Sequence, residues 1–127
     1  MTPVAVTPTP APLPYQWFLF QADLDPTRGR EQAGVRPVLV VSTERLNTLY
    51  DVVMAVPLTS RKNDRPARVG EVLLPAGTGG LRVYSFALCF QARALDKRRL
   101  GRRYGQITDE AVRDAIRHTL ARCLDLP

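Results

Sequence analysis

Up to residue 107, short apolar runs alternate with polar, glycine-rich stretches, and beyond it the hydrophobic period changes. WFLFQADL (17–24) is aromatic and mostly apolar and predicts a first strand. DPTRGREQAGV (25–35) follows, a polar segment of about a dozen residues; loops of that length in compact domains tend to carry function. RPVLVVS (36–42) is a β-branched run, with Pro37 at its start, where a missing donor is tolerated. TERLNTLY (43–50) suits a short helical turn, and DVVMAVPLT (51–59) a further buried strand. SRKNDRPA (60–67) is a basic loop, RVGEVLLP (68–75) a strand, AGTGGLR (76–82) a glycine-rich turn, VYSFALCFQARAL (83–95) one long strand and DKRRLGRR (96–103) a charged connection. In TDEAVRDAIRHTLARCL (108–124), Val112, Ile116, Leu120 and Cys123/Leu124 recur at helical spacing. Thr108 is placed to cap that helix, and Asp109 and Glu110 suit its positive end. Five or so strands and one terminal amphipathic helix predict a mainly β (α+β) fold, a small barrel or curled sheet with the helix over an open side.

Composition sharpens this in three places. Residues 1–14 hold five of the 11 prolines, which predicts an extended, disordered tail ahead of a single domain over 15–127. No apolar run approaches the roughly 20 residues of a membrane span, and the N-terminus has neither the basic start nor the apolar stretch of a signal peptide. The two cysteines, Cys89 and Cys123, sit in apolar settings; two buried free thiols are expected, which fits a cytoplasmic protein. The net charge is +6 and the isoelectric point about 10. That balance favours a polyanionic partner, nucleic acid above all.

Several chemistries lack their residues. One histidine, His118, lies off the apolar stripe of the helix, so no histidine pair exists for acid–base work. Two distant cysteines and one histidine do not make a metal cluster. GTGG lacks the lysine and the following helix of a phosphate-binding loop. No metal, nucleotide or flavin cofactor is therefore expected. What remains lies at strand ends: Arg36 after the long loop, Glu31 and Gln32 just before it, and Thr59 and Ser60 closing the third strand. A guanidinium, a hydroxyl and a carboxylate on one barrel edge suit a phosphodiester, since the guanidinium holds anionic oxygens in a fork. The residues alone leave open that Arg36 merely pairs with Glu31 on the surface and that the basic clusters are solvated faces.

DLDPTRGREQAGVRPVLVVS resembles the opening signature of the MazF/PemK family of toxin endoribonucleases, through Asp23, Pro26, Gly29, Glu31, Gln32, Gly34, Arg36, Pro37 and Val40. VPLTS (56–60), LPAGTGGL (74–81), SFALC (85–89) and QARALDKRRLG (91–101) extend the likeness over residues 17 to about 124. The resemblance implies an SH3-like barrel of the MazF/PemK/CcdB type with a C-terminal helix, working as a homodimer. It implies metal-independent cleavage of single-stranded RNA at short motifs. It also implies an antitoxin whose acidic disordered tail lies over the RNA groove, with DNA contacted only through the toxin–antitoxin complex. On the matched positions, Arg36 and Thr59 correspond to the catalytic arginine and threonine, and Glu31 is the local candidate for general base. Arg30, Gln32, Ser60, Arg61, Lys62, Gln91 and Arg93 are expected to contact RNA.

The chain departs from the family pattern in two places. Trp17-Phe18 stands where a Gly-acid pair usually opens the first strand; packing is the expected use of both rings. Phe90 replaces an acidic residue that often precedes the glutamine of the Q-x-R block, Leu88 stands in place of the PemK-branch arginine, and Arg30 in place of a histidine. Two other readings stay open: a weakened or inactive module that binds RNA or an antitoxin peptide, and a toxin that acts on gyrase.

Overall fold

The computed structural model describes residues 12–26 and 28–127. The proline-rich tail expected over 1–14 lies outside the described residues except for 12–14, which are exposed. Seven strands are present: β1 (Phe18–Asp23), β2 (Val35–Val40), β3 (Val52–Ser60), β4 (Glu71–Leu74), β5 (Ser85–Leu88), β6 (Arg93–Asp96) and β7 (Leu100–Gln106). Two helices, α1 (Glu44–Leu49) and α2 (Glu110–Cys123), complete the set with three short 3-10 turns. The strands form one antiparallel sheet in the order β4-β5-β3-β2-β1-β7, with β6 also on β3. The sheet is open between β4 and β7. Its ends nevertheless approach: the 3-10 turn Thr78–Gly80 after β4 presses on β7, and a Cβ placed on Gly105 would lie 2.7 Å from the Gly79 carbonyl oxygen. Only glycine allows that backbone approach.

Along the middles of β1, β2 and β3 (Leu19 and Phe20, Val38 to Val40, Ala55 to Leu58) both faces are buried, which is why those stretches read as apolar runs. Leu19, Leu39, Val56 and Leu58 pack on one side beneath α2, where Ile116 is fully buried and Val112 and Leu120 flank it. Phe20, Val38, Val40, Val53 and Ala55 form the second cluster on the other side. Asp109, not Thr108, caps α2; its Oδ1 accepts a 2.8 Å hydrogen bond from the Ala111 N–H. His118 is exposed. Cys89 is buried and free as expected, but Cys123 is exposed, because α2 ends there and turns its last apolar residues, Leu124 included, away from the sheet.

Two expectations about the strands also need correction. The long strand over 83–95 is two strands, β5 and β6, separated by a 3-10 turn at Cys89–Gln91. Ala55 pairs with Val40 of β2 and with Arg93 of β6, so β6 shares with β5 the edge of β3 that faces away from β2. Between the pairs Leu58↔Ala87 and Ala55↔Arg93, β3 advances three residues while its partner advances six. The surplus is the turn, which bulges out beside Pro57, a residue with no N–H to offer a ladder. The charged connection at 96–103 in fact contains most of β7, which pairs with β1 through Phe20↔Arg103 and Ala22↔Leu100. Its arginines hid it: Arg103 lays its guanidinium 4.8 Å from the Phe18 ring centroid and 5.3 Å from that of Phe20, covering apolar surface as a hydrophobic residue would.

Candidate active site

The site is built where β2 begins and β3 ends, at the long loop before β2. Strand alternation sorts the candidate residues. Val38 and Val40 face the second cluster together with Val53 and Ala55, so Arg36, Pro57 and Thr59 point to that side of the sheet. Pro37 and Ser60 point to the other. The β2–β3 ladder ends at Val38↔Pro57; carried two residues further, its register sets Arg36 opposite Thr59. Arg36 is exposed and Thr59 half-buried. Among the described residues Arg36 makes no ion pair; its Nε–H donates to the Ala33 carbonyl at 2.9 Å, and its terminal amino groups carry no hydrogen bond. A surface pair with Glu31 is thus not what the structure shows.

Beside Pro57 lies a cavity of about 350 Å³ lined by Glu31, Gln32, Phe90, Gln91, Ala92 and Arg93 as well. It gathers four of the candidate residues, from segments some 60 positions apart, and Gln91 is the reason. Its Oε1 accepts a 2.8 Å hydrogen bond from the Gln32 N–H, and its Nε2 donates to the Arg30 carbonyl at 3.4 Å. The base of the loop is held as well: Arg93 reaches the Leu24 carbonyl at 3.4 Å, and Arg99 the carbonyls of Asp23 and Asp25 at 3.2 and 2.6 Å. Gly34, at φ 76°, turns the chain into β2 and donates its N–H to Asp25 Oδ1 at 3.0 Å. Glu31 is exposed at the cavity wall, accepting from the Arg28 N–H at 3.3 Å. The side-chain oxygen of Gln32 is buried with no hydrogen-bond partner among the described residues.

On the opposite face a larger cavity, about 570 Å³, is lined by Ser60, Pro37, Arg82, Val83, Arg102 and Tyr104 among others. Arg82 and Tyr104 had no signal in the sequence, since neither belongs to a motif; Arg102 was visible only as one of a basic cluster. Arg30, Arg36, Thr59, Arg61 and Lys62 line neither cavity. Arg61 is already engaged, stacking 4.9 Å over Tyr84 and pairing with Asp64 at 3.1 Å, while Lys62 and Arg30 extend into solvent. The loop that carries Arg61 and Lys62 is braced at its far end by a two-pronged Arg65–Glu71 pair (2.8 and 3.1 Å) and by the Arg68 N–H on Glu71 at 2.8 Å. The hydrogen bonds from Arg65 hold the Glu71 carboxyl below its ordinary pKa, against the opposing effect of burial. Burial pushes the Cys89 thiol, next to Phe90, up to about 12, so it is no nucleophile.

Fold and site together define a small, basic, barrel-like antiparallel sheet with a polar cleft near the strand ends and, at the sheet's rim, an arginine that makes no ion pair among the described residues. Residues 15–124 match the family described as PemK-like, MazF-like toxin of type II toxin-antitoxin system, and the chain belongs to that family. Endoribonuclease MazF9 of Mycobacterium tuberculosis is 38% identical over 95 residues, which are 71% of this chain and 79% of that protein. The crystal structure of MazF from Deinococcus radiodurans superposes with a TM-score of 0.73 at 30% identity, covering 91% of this chain and all of that one (100%). An endoribonuclease from a mycobacterial species, solved in complex with its cognate antitoxin, gives a TM-score of 0.73 at 25% identity, covering 91% of this chain and 98% of that one.

Proposed function

We propose that this toxin is a metal-independent, sequence-specific endoribonuclease acting on single-stranded RNA, mRNA included. The observation that carries the reading is the convergence of Glu31, Gln32, Gln91 and Arg93 on one cavity beside the strand ends that bear Arg36 and Thr59. In the proposed reaction the RNA 2′-hydroxyl attacks its own 3′-phosphate and its proton passes to Glu31. The P–O5′ bond breaks, leaving a 2′,3′-cyclic phosphate and a 5′-oxygen that takes its proton from water. Arg36 stabilises the extra charge on the phosphorane; guanidinium stays protonated in proteins, so its role is electrostatic. Thr59 positions the phosphate by a hydrogen bond. Side chains thus supply base, positioning and charge, and among the described residues no three His, Cys, Asp or Glu side chains gather as metal ligands would. Gln32, Gln91 and Arg93, with Arg30, Ser60, Arg61 and Lys62 further out, hold the strand.

The working unit we propose is a homodimer. Leu46, Leu49, Tyr50, Val52 and Met54, on α1 and the start of β3, all remain exposed, an apolar surface that a second copy would cover. The net charge of +6 suits an antitoxin whose acidic tail competes with RNA for the cleft, DNA being reached only through that complex.

The test is digestion of a long mixed-sequence single-stranded RNA by the purified protein in EDTA, with the ends mapped. Discrete cuts bearing 5′-hydroxyl ends are the expected result. Intact RNA that the folded protein still binds would replace the nuclease by a binding module, a reading to which Phe90, standing where an acid is usual, gives its one specific support.

A further inference from the structure

Phe90 is 55% exposed at the lip of the Glu31–Gln91 cavity, an unusual position for a phenylalanine that no core requires. Its placement is fixed, because the surplus turn between β5 and β6 thrusts it out of the ladder and its N–H donates to the Gly70 carbonyl at 3.3 Å. Gly70, at φ +85°, lies directly beneath: a Cβ there would stand 3.0 Å from the Phe90 Cβ and 3.1 Å from its Cδ1. The ring therefore rests on bare backbone, with no side chain from that position to cover it. Around it are an amide pair, Gln32 and Gln91, and the guanidinium of Arg93. Among the described residues the buried Gln32 oxygen has no hydrogen-bond partner, so a donor that met it would satisfy a buried acceptor and be worth more than one in water. An apolar ring beside amide and guanidinium groups is how proteins stack an unpaired nucleobase and read its edge.

Resting on the nuclease reading above, we infer that Phe90 is a specificity-determining residue, stacking one unpaired RNA base next to the scissile phosphate while Gln32 and Gln91 read its edge. Where the family often has an acidic residue, this chain presents a π-face. The test uses the full chain with two substitutions. Phe90→Ala, at an exposed position, still yields 5′-hydroxyl ends but loses the base preference at one position of the motif, with kcat/KM on the preferred oligonucleotide falling about tenfold or more. Phe90→Trp keeps the rate within about threefold of wild type, since the larger π-face stacks at least as well. It also places an exposed indole in a protein whose only other tryptophan, Trp17, is 5% exposed. Its fluorescence is quenched on titration with mixed-sequence RNA 2′-O-methylated throughout. An unchanged motif and rate for Phe90→Ala, or no quenching by an RNA that competes for wild-type binding, overturns the stacking role and leaves the nuclease reading intact. Quenching by RNA in a protein that cuts none keeps the stacking site and refutes the nuclease.

Discussion

Arg36 carries most of the proposed chemistry, and its own surroundings ask nothing of it structurally beyond one bond to the Ala33 carbonyl. Arg36→Ala is therefore expected to abolish RNA cleavage in the end-mapping assay while leaving Tm and oligomeric state unchanged; full activity would sink the assignment. Trp17 is the opposite case. It sits at φ 67°, in the left-handed region, where the family usually has glycine, and its N–H and carbonyl are tied to Val40 and Ile107 at 2.8 Å each. The conformation costs a non-glycine residue about 1–2 kcal/mol. The buried indole offsets this, with Arg113 and Arg117 stacked 5.3 and 5.1 Å over it, since truncating a buried aromatic costs about 3–5 kcal/mol. Trp17→Gly thus relieves the backbone and still lowers Tm in thermal unfolding; a rise in Tm would show that strain outweighs packing. As candidates, Arg36 and Thr59 were legible through their place at strand ends, Glu31 through the loop just before Arg36, and Arg36 and Thr59 also through the family signature. It could not carry the role of Gln91, whose partners lie 59 and 61 positions away and meet it only once β3 has brought β2 and β6 to its two edges.

Among the elements, β1, β2 and β3 were legible because their middles, buried on both faces, are apolar. β7 was not, because Gly101, Arg102, Arg103 and Gly105 break the pattern and an arginine stands in for the apolar residue over Phe20. The same strand holds the close backbone approach between Gly105 and Gly79. Gly105→Ala forces its methyl group against the Gly79 backbone, a clash of the kind that costs about 1–3 kcal/mol; the expected readout is a Tm lower by several degrees, and an unchanged Tm would mean the sheet ends are not held together there. The Arg65–Glu71 brace makes a prediction about pH. Glu71 has its folded pKa lowered, first by Arg65, so its contribution is complete above the ordinary carboxylate pKa of about 4.3 and is lost as pH falls through the lower folded value. Glu71→Gln is expected to lower Tm at neutral pH and to flatten the decline of Tm below about pH 5. A parallel decline in both proteins would remove Glu71 from the account.

Taken whole, the molecule is a curled basic sheet with α2 packed on one face and a polar cleft beside the ends of its strands, and no helix among the described residues is long and apolar enough to cross a membrane. Residues 1–11 precede the span that matches the family, 15–124. Removing them is expected to leave both cleavage and antitoxin binding intact, measured by the RNA assay and by complex formation; a large loss of either would make the tail part of the site. The barrel and its terminal helix were readable from the change of period at 108, whereas the pairing order was not, since β3 divides its two edges among three partners. One feature of that order bears on how such toxins diversify. The Cys89–Gln91 turn is surplus to the ladder, so the exposed residue it carries can change without shifting the pairing of any strand. If Phe90 stacks a base as inferred above, descendants of one ancestral gene come to cut different transcripts through single codon changes at position 90, with the scaffold inherited unaltered.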